Sequence, residues 1–446
     1  MRLTQTGGHQ RRMRARHIII GLAGLLGAAV AWAQLAPTQG PYTAATLDGL
    51  YNAQDLFAER DGELSVGIGP RDFDGRGEQD SFTTRASRSP LDYSVTPDGA
   101  YRLRGDGIDF GLVGSIGLGG ALAVFTPDIA AGVDGQISEG YAAIRLSLLS
   151  GGNRTDADFA GDYSWHALVY DDNGWFNQFG VFSANGQGDA LLTRAVGGLA
   201  FDYDVNSSGQ VSIGEQGRGS AALQAGGAFI AHTIDIGPGD DPAYPGGFEG
   251  LALYLRRTPG GTDFDPRLLN GRYRVHTLTA DANGAVSATV AEVLARDGAL
   301  VFDEAPELLV QPQFNARGTF TFEGDNDRIG TVGASGDLVV VSPEAPDSSA
   351  TPALELWVRT AGGGPVPGDA DGDGLRDAED SDDNDADRDN DGLIDGWDAA
   401  PDEAGNVATA TLSPTTFDIV EGEDRIGPLT LTLDAGGFPF FAWSLS

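Results

Sequence analysis

The residues best suited to chemistry lie in one acidic stretch, residues 369–403, which holds 14 Asp, 2 Glu and 2 Arg. Two copies of the pattern D-x-D-x-D-G-x-x-D-x-x-D are embedded in it, and they begin 18 residues apart. Carboxylates at alternate positions of a tight loop can point inward, and Gly at position 6 permits the sharp turn. Because Ca²⁺ takes about six to eight oxygen ligands, the spacing predicts two calcium sites.

The predicted ligands are the carboxylates at loop positions 1, 3, 5, 9 and 12 and the backbone carbonyl at position 7. In the two loops these positions are Asp369, Asp371, Asp373, Leu375, Asp377 and Asp380, and then Asp387, Asp389, Asp391, Leu393, Asp395 and Asp398. Calcium is therefore the predicted cofactor. The alternative is a solvated, disordered acidic run without specific binding, but such a run has no reason to repeat the pattern in phase.

This acidic run resembles thrombospondin type 3 repeats, in which Asp-rich loops wrap Ca²⁺ and act as spacers. It departs from an EF-hand, because position 12 is Asp rather than Glu and no amphipathic helix flanks either loop. The resemblance implies a structural role for calcium in residues 366–403. Binding would neutralise like charges and stiffen a segment that is extended without metal.

The N-terminus has the pattern of an export signal. A basic start precedes an apolar run from Ile18 to Val30, which ends in Ala31-Trp32-Ala33 and predicts cleavage before Gln34. The run is short for a membrane span of about 20 residues, which disfavours an uncleaved anchor. We expect residues 1–33 to be a signal peptide and 34–44 a linker. The protein is then secreted, periplasmic or at the cell surface, without a transmembrane span.

Composition excludes several classes of chemistry. The chain has 446 residues, 28 of them Arg, with no Lys and no Cys, and its 65 acidic residues give a net charge of −37. Without Cys there are no disulfides, thiolate metal sites or Cys nucleophiles, and without Lys there is no Schiff-base chemistry. A charge this negative argues against nucleic acid as a partner, since few basic groups remain to neutralise phosphates.

Three copies of one unit fill most of the chain. Each copy opens on apolar-x-Gly-x-Tyr, with its glycine at Gly49, Gly161 or Gly271, and each has a second anchor that begins at Gly119, Gly226 or Ser335. Each copy closes on an apolar strand followed by a joint rich in Gly. Several anchors in one order indicate tandem duplication. We place the units at residues 45–150, 156–258 and 265–361.

The pattern within a unit is that of an all-β protein. Short alternating runs rich in Val, Ile, Leu, Phe and Tyr are separated by Asp-Gly, Asn-Gly and Ser-Gly turns. About eight such strands in about 100 residues predict an antiparallel β-barrel, with a β-sandwich and then a propeller as alternatives. The predicted fold is thus three tandem β-barrel or sandwich domains, an Asp-rich calcium-loop linker and a partial β-sandwich.

The units also resemble calycin barrels, the lipocalin- and avidin-like class. They share an opening Gly-x-aromatic strand, about eight strands and, in two copies, an Arg on the last strand. In lipocalins that Arg packs over the aromatic ring of the first strand. The resemblance implies the pairs Tyr163–Arg256 and Tyr273–Arg359, whereas Arg145 of the first unit falls out of alignment.

No catalytic constellation stands out. Three His remain after processing, and the repeats replace His166 and His276 by Gln54 in the first unit, while His232 aligns with Phe125 and Val341. Positions that equivalent units fill with Gln, Phe or Val are typical of packing or surface residues rather than general bases. A carboxylate pair of the kind used in glycoside hydrolysis stays open, because the chain has many carboxylates. We expect a protein that is not an enzyme.

Residues 407–446 look like the first strands of a cadherin-like or other immunoglobulin-like sandwich. Two strands are predicted, Thr416–Val420 and Pro428–Leu433. The segment is too short to bury a core of its own, so we expect a domain truncated at residue 446. The alternative is a natural strand pair that docks on the last barrel.

The sequence therefore favours an exported, non-enzymatic, calcium-binding surface or secreted protein with a role in adhesion or structural display. Its partners would be calcium and other surface proteins or glycans. A second hypothesis is that each calycin-like unit binds a small apolar ligand or a glycan. A lesser alternative is the non-catalytic part of a larger secreted enzyme.

Overall fold

The computed structural model shows an all-β protein built from three consecutive β units. The structure describes residues 42–361, except 60–63, 82–90, 106–107, 110–113, 130–140, 195–196, 215–218, 225–226, 237–246, 261–263, 282–283, 297–298, 303–304, 323–324 and 344–350, together with 409–413 and 430–434. The predicted fold class is confirmed: units 1 and 2 are closed antiparallel barrels, and unit 3 is a third antiparallel sheet.

Unit 1 is a barrel that closes where its first strand pairs with its last long strand. Tyr51 of the first strand lies opposite Leu149 of the last, in antiparallel register. Two further strands of two residues each, Ile108–Asp109 and Asp128–Ile129, pair with the fifth strand and with the last long strand. The strands are β1 (Asp48–Glu59), β2 (Leu64–Asp74), β3 (Glu78–Ser81), β4 (Leu91–Val95), β5 (Ala100–Gly105), β6 (Ile108–Asp109), β7 (Gly114–Gly117), β8 (Leu122–Phe125), β9 (Asp128–Ile129) and β10 (Tyr141–Leu149).

Unit 2 is a closed barrel in which every strand pairs with its neighbour in sequence. Tyr163 of the first strand lies opposite Arg256 of the last, which closes the ring. The strands are β11 (Gly161–Asp171), β12 (Gly174–Ala184), β13 (Asp189–Arg194), β14 (Gly197–Val205), β15 (Gln210–Ile213), β16 (Gly219–Leu223), β17 (Phe229–Ile236) and β18 (Phe248–Arg256).

Unit 3 repeats this meander as a nine-stranded sheet, in which the first strand pairs with both the second strand and the last. Tyr273 of its first strand lies opposite Arg359 of its last. The strands are β19 (Gly271–Ala280), β20 (Val286–Arg296), β21 (Ala299–Phe302), β22 (Ala305–Val310), β23 (Pro312–Phe314), β24 (Thr319–Phe322), β25 (Asp325–Val332), β26 (Leu338–Pro343) and β27 (Ala353–Ala361).

A separate strand pair lies near the C-terminus. Strand β28 (Thr409–Ser413) pairs antiparallel with β29 (Thr430–Asp434). The second of these overlaps the predicted strand Pro428–Leu433, whereas the predicted strand Thr416–Val420 lies outside the described residues. The strand that pairs with β29 is thus an earlier segment of the chain.

The two sequence anchors of each unit meet at one end of its sheet. A short 3₁₀ turn precedes the first strand, and the opening Tyr hydroxyl donates to the carbonyl of a glycine in the second anchor. A Cβ on that glycine would clash with a carbonyl oxygen of the 3₁₀ turn, and its φ is positive, so only Gly fits. The pairs are Tyr51–Gly120 (2.7 Å, φ 95°), Tyr163–Gly227 (3.0 Å, φ 66°) and Tyr273–Gly336 (2.7 Å, φ 71°).

The arginine of the last strand covers this end in units 2 and 3, as the resemblance to calycins implies. The Arg256 guanidinium lies 5.5 Å from the ring centroid of Tyr163 and donates to its hydroxyl at 3.0 Å. Arg359 lies 5.4 Å from the Tyr273 ring and donates to its hydroxyl. In unit 1 the residue opposite the opening Tyr is Leu149, so the pair is absent from that position.

Each sheet wraps its own buried cluster. In unit 2 aromatic rings pack across the interior: the Phe159 centroid lies 4.7 Å from Tyr203, edge-on, and 5.4 Å from Phe182, stacked. In unit 3 Trp357, which is fully buried, packs among Tyr273 and Phe302. These interiors are occupied by the chain's own side chains.

No helix within the described residues has the length and apolar character needed to cross a membrane.

Candidate functional site

The outer faces of the three units meet in one shared apolar cluster. Alternate residues of the last strand of each unit contribute to it: Ile144 and Leu146 from unit 1, Leu251 and Leu253 from unit 2, and Leu354 and Leu356 from unit 3. All are fully buried. One face of each of these strands therefore lies inside its unit, and the other lies in this junction. We call the shared cluster and the polar contacts around it the junction.

His166 of unit 2 crosses the junction to unit 3. Its Nδ1 lies 2.9 Å from Ser342 Oγ, and its Nε2 lies 3.0 Å from Thr331 Oγ1. The ring is fully buried. Both ring nitrogens of a neutral imidazole are thus satisfied, one as donor and one as acceptor.

His276 of unit 3 makes the same contacts with unit 1. Its Nδ1 lies 2.7 Å from Thr126 Oγ1, and its Nε2 lies 2.7 Å from Ser115 Oγ. Thr126 and Ser342 occupy equivalent positions in the second anchor of their units. Ser115 pairs with Val124, two residues before Thr126, and Thr331 pairs with Val340, two residues before Ser342. Ser115 and Thr331 are therefore also equivalent.

Gln54 of unit 1 completes the cycle by reaching unit 2. Its Oε1 accepts from Thr233 Oγ1 at 2.9 Å and from the Thr233 backbone N–H at 3.2 Å. Thr233 is the anchor residue equivalent to Thr126 and Ser342. The second hydroxyl is missing, because Ala222 stands at that position, and the buried Gln54 Nε2 has no hydrogen-bond partner among the described residues. Unit 1 thus contacts unit 2, unit 2 contacts unit 3, and unit 3 contacts unit 1.

At the edge of the junction, a second set of hydrogen bonds joins the units in the same cyclic order. A turn residue of the next unit meets the start of the first strand in every case. The contacts are Asn52 Nδ2 to Ser208 O at 2.9 Å, Arg317 Nη2 to Asp162 Oδ2 at 2.8 Å, and Arg274 Nη2 to Asp98 Oδ2 at 2.9 Å. The hydrogen bond from Arg317 lowers the pKa of Asp162. The three units are therefore arranged as a pseudo-trimer within one chain.

Burial keeps both junction histidines neutral. Desolvation lowers the pKa of His166 from 6.5 to about 3, and desolvation followed by the charge of Arg274 lowers the pKa of His276 to about 3. A fully buried ring cannot exchange protons with a substrate in solvent. These histidines hold the units together, in agreement with the predicted packing role.

The third histidine lies inside barrel 2. The Nδ1 of His232 is 2.8 Å from the hydroxyl of Tyr254, and both residues are buried. Trp165 lies in the same cluster and is also buried. Burial raises the pKa of Tyr254. This polar pair is the distinctive feature of that interior, since unit 1 has Phe125 and unit 3 has Val341 at the position of His232.

The predicted calcium ligands, Asp369 to Asp398, lie outside the described residues. Within the described part of the chain, no cluster of three or more His, Asp or Glu side chains is suited to hold a metal ion. The structure thus leaves the predicted calcium loops as a prediction. The sequence also missed the junction. Its signal was the alignment of His166 and His276 with Gln54, which places a polar residue at the same position of all three first strands.

Comparison with known proteins gave no family model that matches the chain and no match among curated proteins. Among solved structures, a protein of unknown function of the DUF3598 family from Nostoc punctiforme has a TM-score of 0.17 and 14% identity, over 47% of this chain and 100% of that chain. The isotype 1 transferrin binding protein B from serogroup B Neisseria meningitidis has a TM-score of 0.21 and 9% identity, over 73% and 76%.

A periplasmic gluconolactonase from Pseudomonas aeruginosa has a TM-score of 0.13 and 12% identity, over 71% of this chain and 97% of that chain. TM-scores this low establish neither a shared fold nor a shared function.

We expect acid to destabilise the folded protein through the two junction histidines. In the unfolded chain they bind protons below pH 6.5, while in the folded protein they stay neutral to about pH 3, so their contribution is full above pH 6.5 and falls below it. Between pH 7.5 and 5.5 each costs about 1.4 kcal/mol, about 3 kcal/mol together. Urea unfolding at several pH values gives the free energy of unfolding of the wild type and of the double variant His166→Gln with His276→Gln. We expect this free energy to fall more steeply with decreasing pH in the wild type than in the variant. The same pH dependence in both proteins would contradict this role of the histidines.

We expect Ala222→Ser to stabilise the protein by about 1 kcal/mol, because it supplies the hydroxyl that Gln54 Nε2 lacks. The equivalent positions in the other two units already carry Ser115 and Thr331. Ala231→Ser is the matched control, since it places a hydroxyl in the apolar part of the junction and should destabilise. Urea midpoints of both variants decide the matter, and a destabilised Ala222→Ser would refute the proposed equivalence of the three contacts.

Proposed function

We propose that this chain is an exported, calcium-binding structural protein, secreted or displayed at the bacterial cell surface and without enzymatic activity. Its body is the pseudo-trimer of three β units, and calcium stiffens the acidic segment that follows. Adhesion or structural display is the role that suits such an arrangement. The partners are calcium and other surface proteins or glycans.

The observation that carries the calcium part is the acidic pattern repeated in phase across residues 369–403. The loops place carboxylates at alternate positions around a Gly, and oxygen is the ligand that Ca²⁺ prefers. Their similarity to thrombospondin type 3 repeats favours a spacer over a sensor. The predicted export signal at residues 1–33 supports a location outside the cytoplasm, where calcium is abundant. Many proteins in that location are stabilised by disulfides, which this chain cannot form.

The geometry of the body supports a structural role. The interior of unit 2 is lined by aromatic rings that pack against one another, and that of unit 3 is built around the buried Trp357. The three histidines of the described residues are buried and hydrogen-bonded to hydroxyls. The cyclic junction holds the units in fixed orientation. These features favour a rigid body over a set of three separate ligand carriers.

The second hypothesis, a small apolar ligand or glycan in every unit, has less support. A ligand common to all three units would need a similar cavity in each, whereas aromatic side chains occupy the interiors of units 2 and 3. The third reading, a non-catalytic part of a larger enzyme, has no specific observation in its favour.

We expect the calcium-free full chain to bind two Ca²⁺ ions, with heat measured by titration calorimetry. Asp371→Ala with Asp389→Ala removes the position 3 ligand from both loops and should weaken binding by about tenfold or more. The matched control is Asp382→Ala with Asp383→Ala, which changes the charge equally but lies between the loops. This control should bind like the wild type.

Two results would count against the calcium proposal. One is the absence of binding heat at millimolar Ca²⁺. The other is equal weakening by the loop variant and the control, which would mean that the acidic segment attracts cations only through its total charge.

A further inference from the structure

Barrel 1 holds an ionic cluster in its interior. The Asp55 carboxylate is fully buried and accepts hydrogen bonds from the Arg71 guanidinium and, at 3.3 Å, from Arg145 Nε. Arg71 is 3% exposed and also donates to Ser147 Oγ at 2.6 Å. Burial lowers the pKa of Arg71. Three charged side chains thus meet among the inward-facing residues of the barrel.

The other units show that the fold does not need these charges. Strand register defines the equivalent positions: Arg71 lies opposite Tyr51, and Arg145 lies opposite Asp55. At the positions of Asp55, Arg71 and Arg145, unit 2 has Ala167, Phe182 and Ala252, and unit 3 has Thr277, Val293 and Glu355. Barrel 2 therefore fills these three interior positions with apolar residues alone.

The cluster is also unbalanced and incompletely paired. Its described side chains carry two guanidinium charges and one carboxylate charge, and each buried ion costs several kcal/mol in desolvation. Arg71 Nε and Asp55 Oδ1 are buried without a hydrogen-bond partner among the described residues. A buried excess of one positive charge favours the uptake of one negative charge.

Arg145 is the member of the cluster that an anion can reach. Its side chain is 15% exposed, so a small group in solution can contact it, whereas the Asp55 side chain is fully buried. Its Nε is directed to Asp55, and its guanidinium lies 5.5 Å from the ring centroid of Phe57. Tyr141 packs edge-on against Phe57 at 5.9 Å. The Phe57 ring therefore lies beside the accessible guanidinium, and the Tyr141 ring packs against Phe57.

We propose that the interior of barrel 1 binds the carboxylate group of a small ligand on Arg145. A planar guanidinium matches a carboxylate through two parallel hydrogen bonds. Arg71 neutralises Asp55, and Phe57 and Tyr141 provide an apolar contact for the body of the ligand. A monoanion balances the described charges, whereas a dianion such as a phosphate would leave an excess negative charge. This site is independent of the calcium loops and of the structural role proposed above.

Benzoate is a suitable probe, because it joins a carboxylate to a ring. We expect the full chain to bind one benzoate in a calorimetric or NMR titration, and Arg145→Gln to weaken binding by about tenfold or more. Arg102→Gln is the matched control: this residue is exposed on the outside of the same barrel, and its variant should bind like the wild type. Benzyl alcohol, which lacks the charge, should bind at least tenfold more weakly than benzoate.

A second variant keeps the test valid if Arg145→Gln fails to fold. The combination Asp55→Ala, Arg71→Phe and Arg145→Ala copies the residues of barrel 2, and we expect it to fold and to lose benzoate binding. The proposal is overturned if the wild type shows no saturable binding at millimolar benzoate, or if the folded triple variant binds benzoate equally well. Tighter binding of inorganic phosphate than of benzoate would also overturn it.

Discussion

The arrangement of the three units depends on one polar side chain at the centre of each contact between them, which needs a hydrogen-bond partner in the neighbouring unit. An unpaired polar group in an apolar junction costs about 1–3 kcal/mol, and three would cost several times that. His166, His276 and Gln54 sit at equivalent positions in their first strands and meet hydroxyl groups of the next unit. Because each hydroxyl belongs to a different unit, all three contacts can form together only when the units close into a ring.

The junction and the interiors have diverged differently since the duplication. The junction keeps its hydroxyl at the same anchor position in every unit, as Thr126, Thr233 and Ser342. The interiors vary: barrel 1 holds an ionic cluster, barrel 2 holds the His232–Tyr254 pair, and unit 3 is centred on Trp357. The junction residues are restricted because each hydroxyl must pair with a polar side chain of another unit. The interior residues need only to fill the space inside their own unit. Individual functions are therefore more readily found inside single units.

Much of the fold could be predicted from the sequence. Strand alternation, turn residues and repeated anchors indicated three β units, and the structure confirms the Tyr163–Arg256 and Tyr273–Arg359 pairs. The Gly-x-Tyr strand and the second anchor were predicted as separate signals, but the hydrogen bond that joins them depends on tertiary structure. Their partnership across about 65 residues follows from barrel closure, which no local pattern encodes.

The junction could not be predicted for a related reason. A strand that is apolar on both faces fits a closed core as well as a contact between domains, and alternation alone cannot distinguish them. Arg145 is out of alignment with Arg256 and Arg359, because it lies opposite Asp55 rather than the opening Tyr. An acidic residue at an interior position of the first strand was the available signal. The calcium loops are the opposite case, since their spacing is local and needs no tertiary information.

Differential scanning calorimetry of the full chain without calcium tests the pseudo-trimer most directly. If the junction holds the three units as one cooperative body, residues 42–361 unfold in a single transition whose calorimetric enthalpy equals the van't Hoff enthalpy. Separate transitions for the three units, each with its own midpoint, would contradict the account.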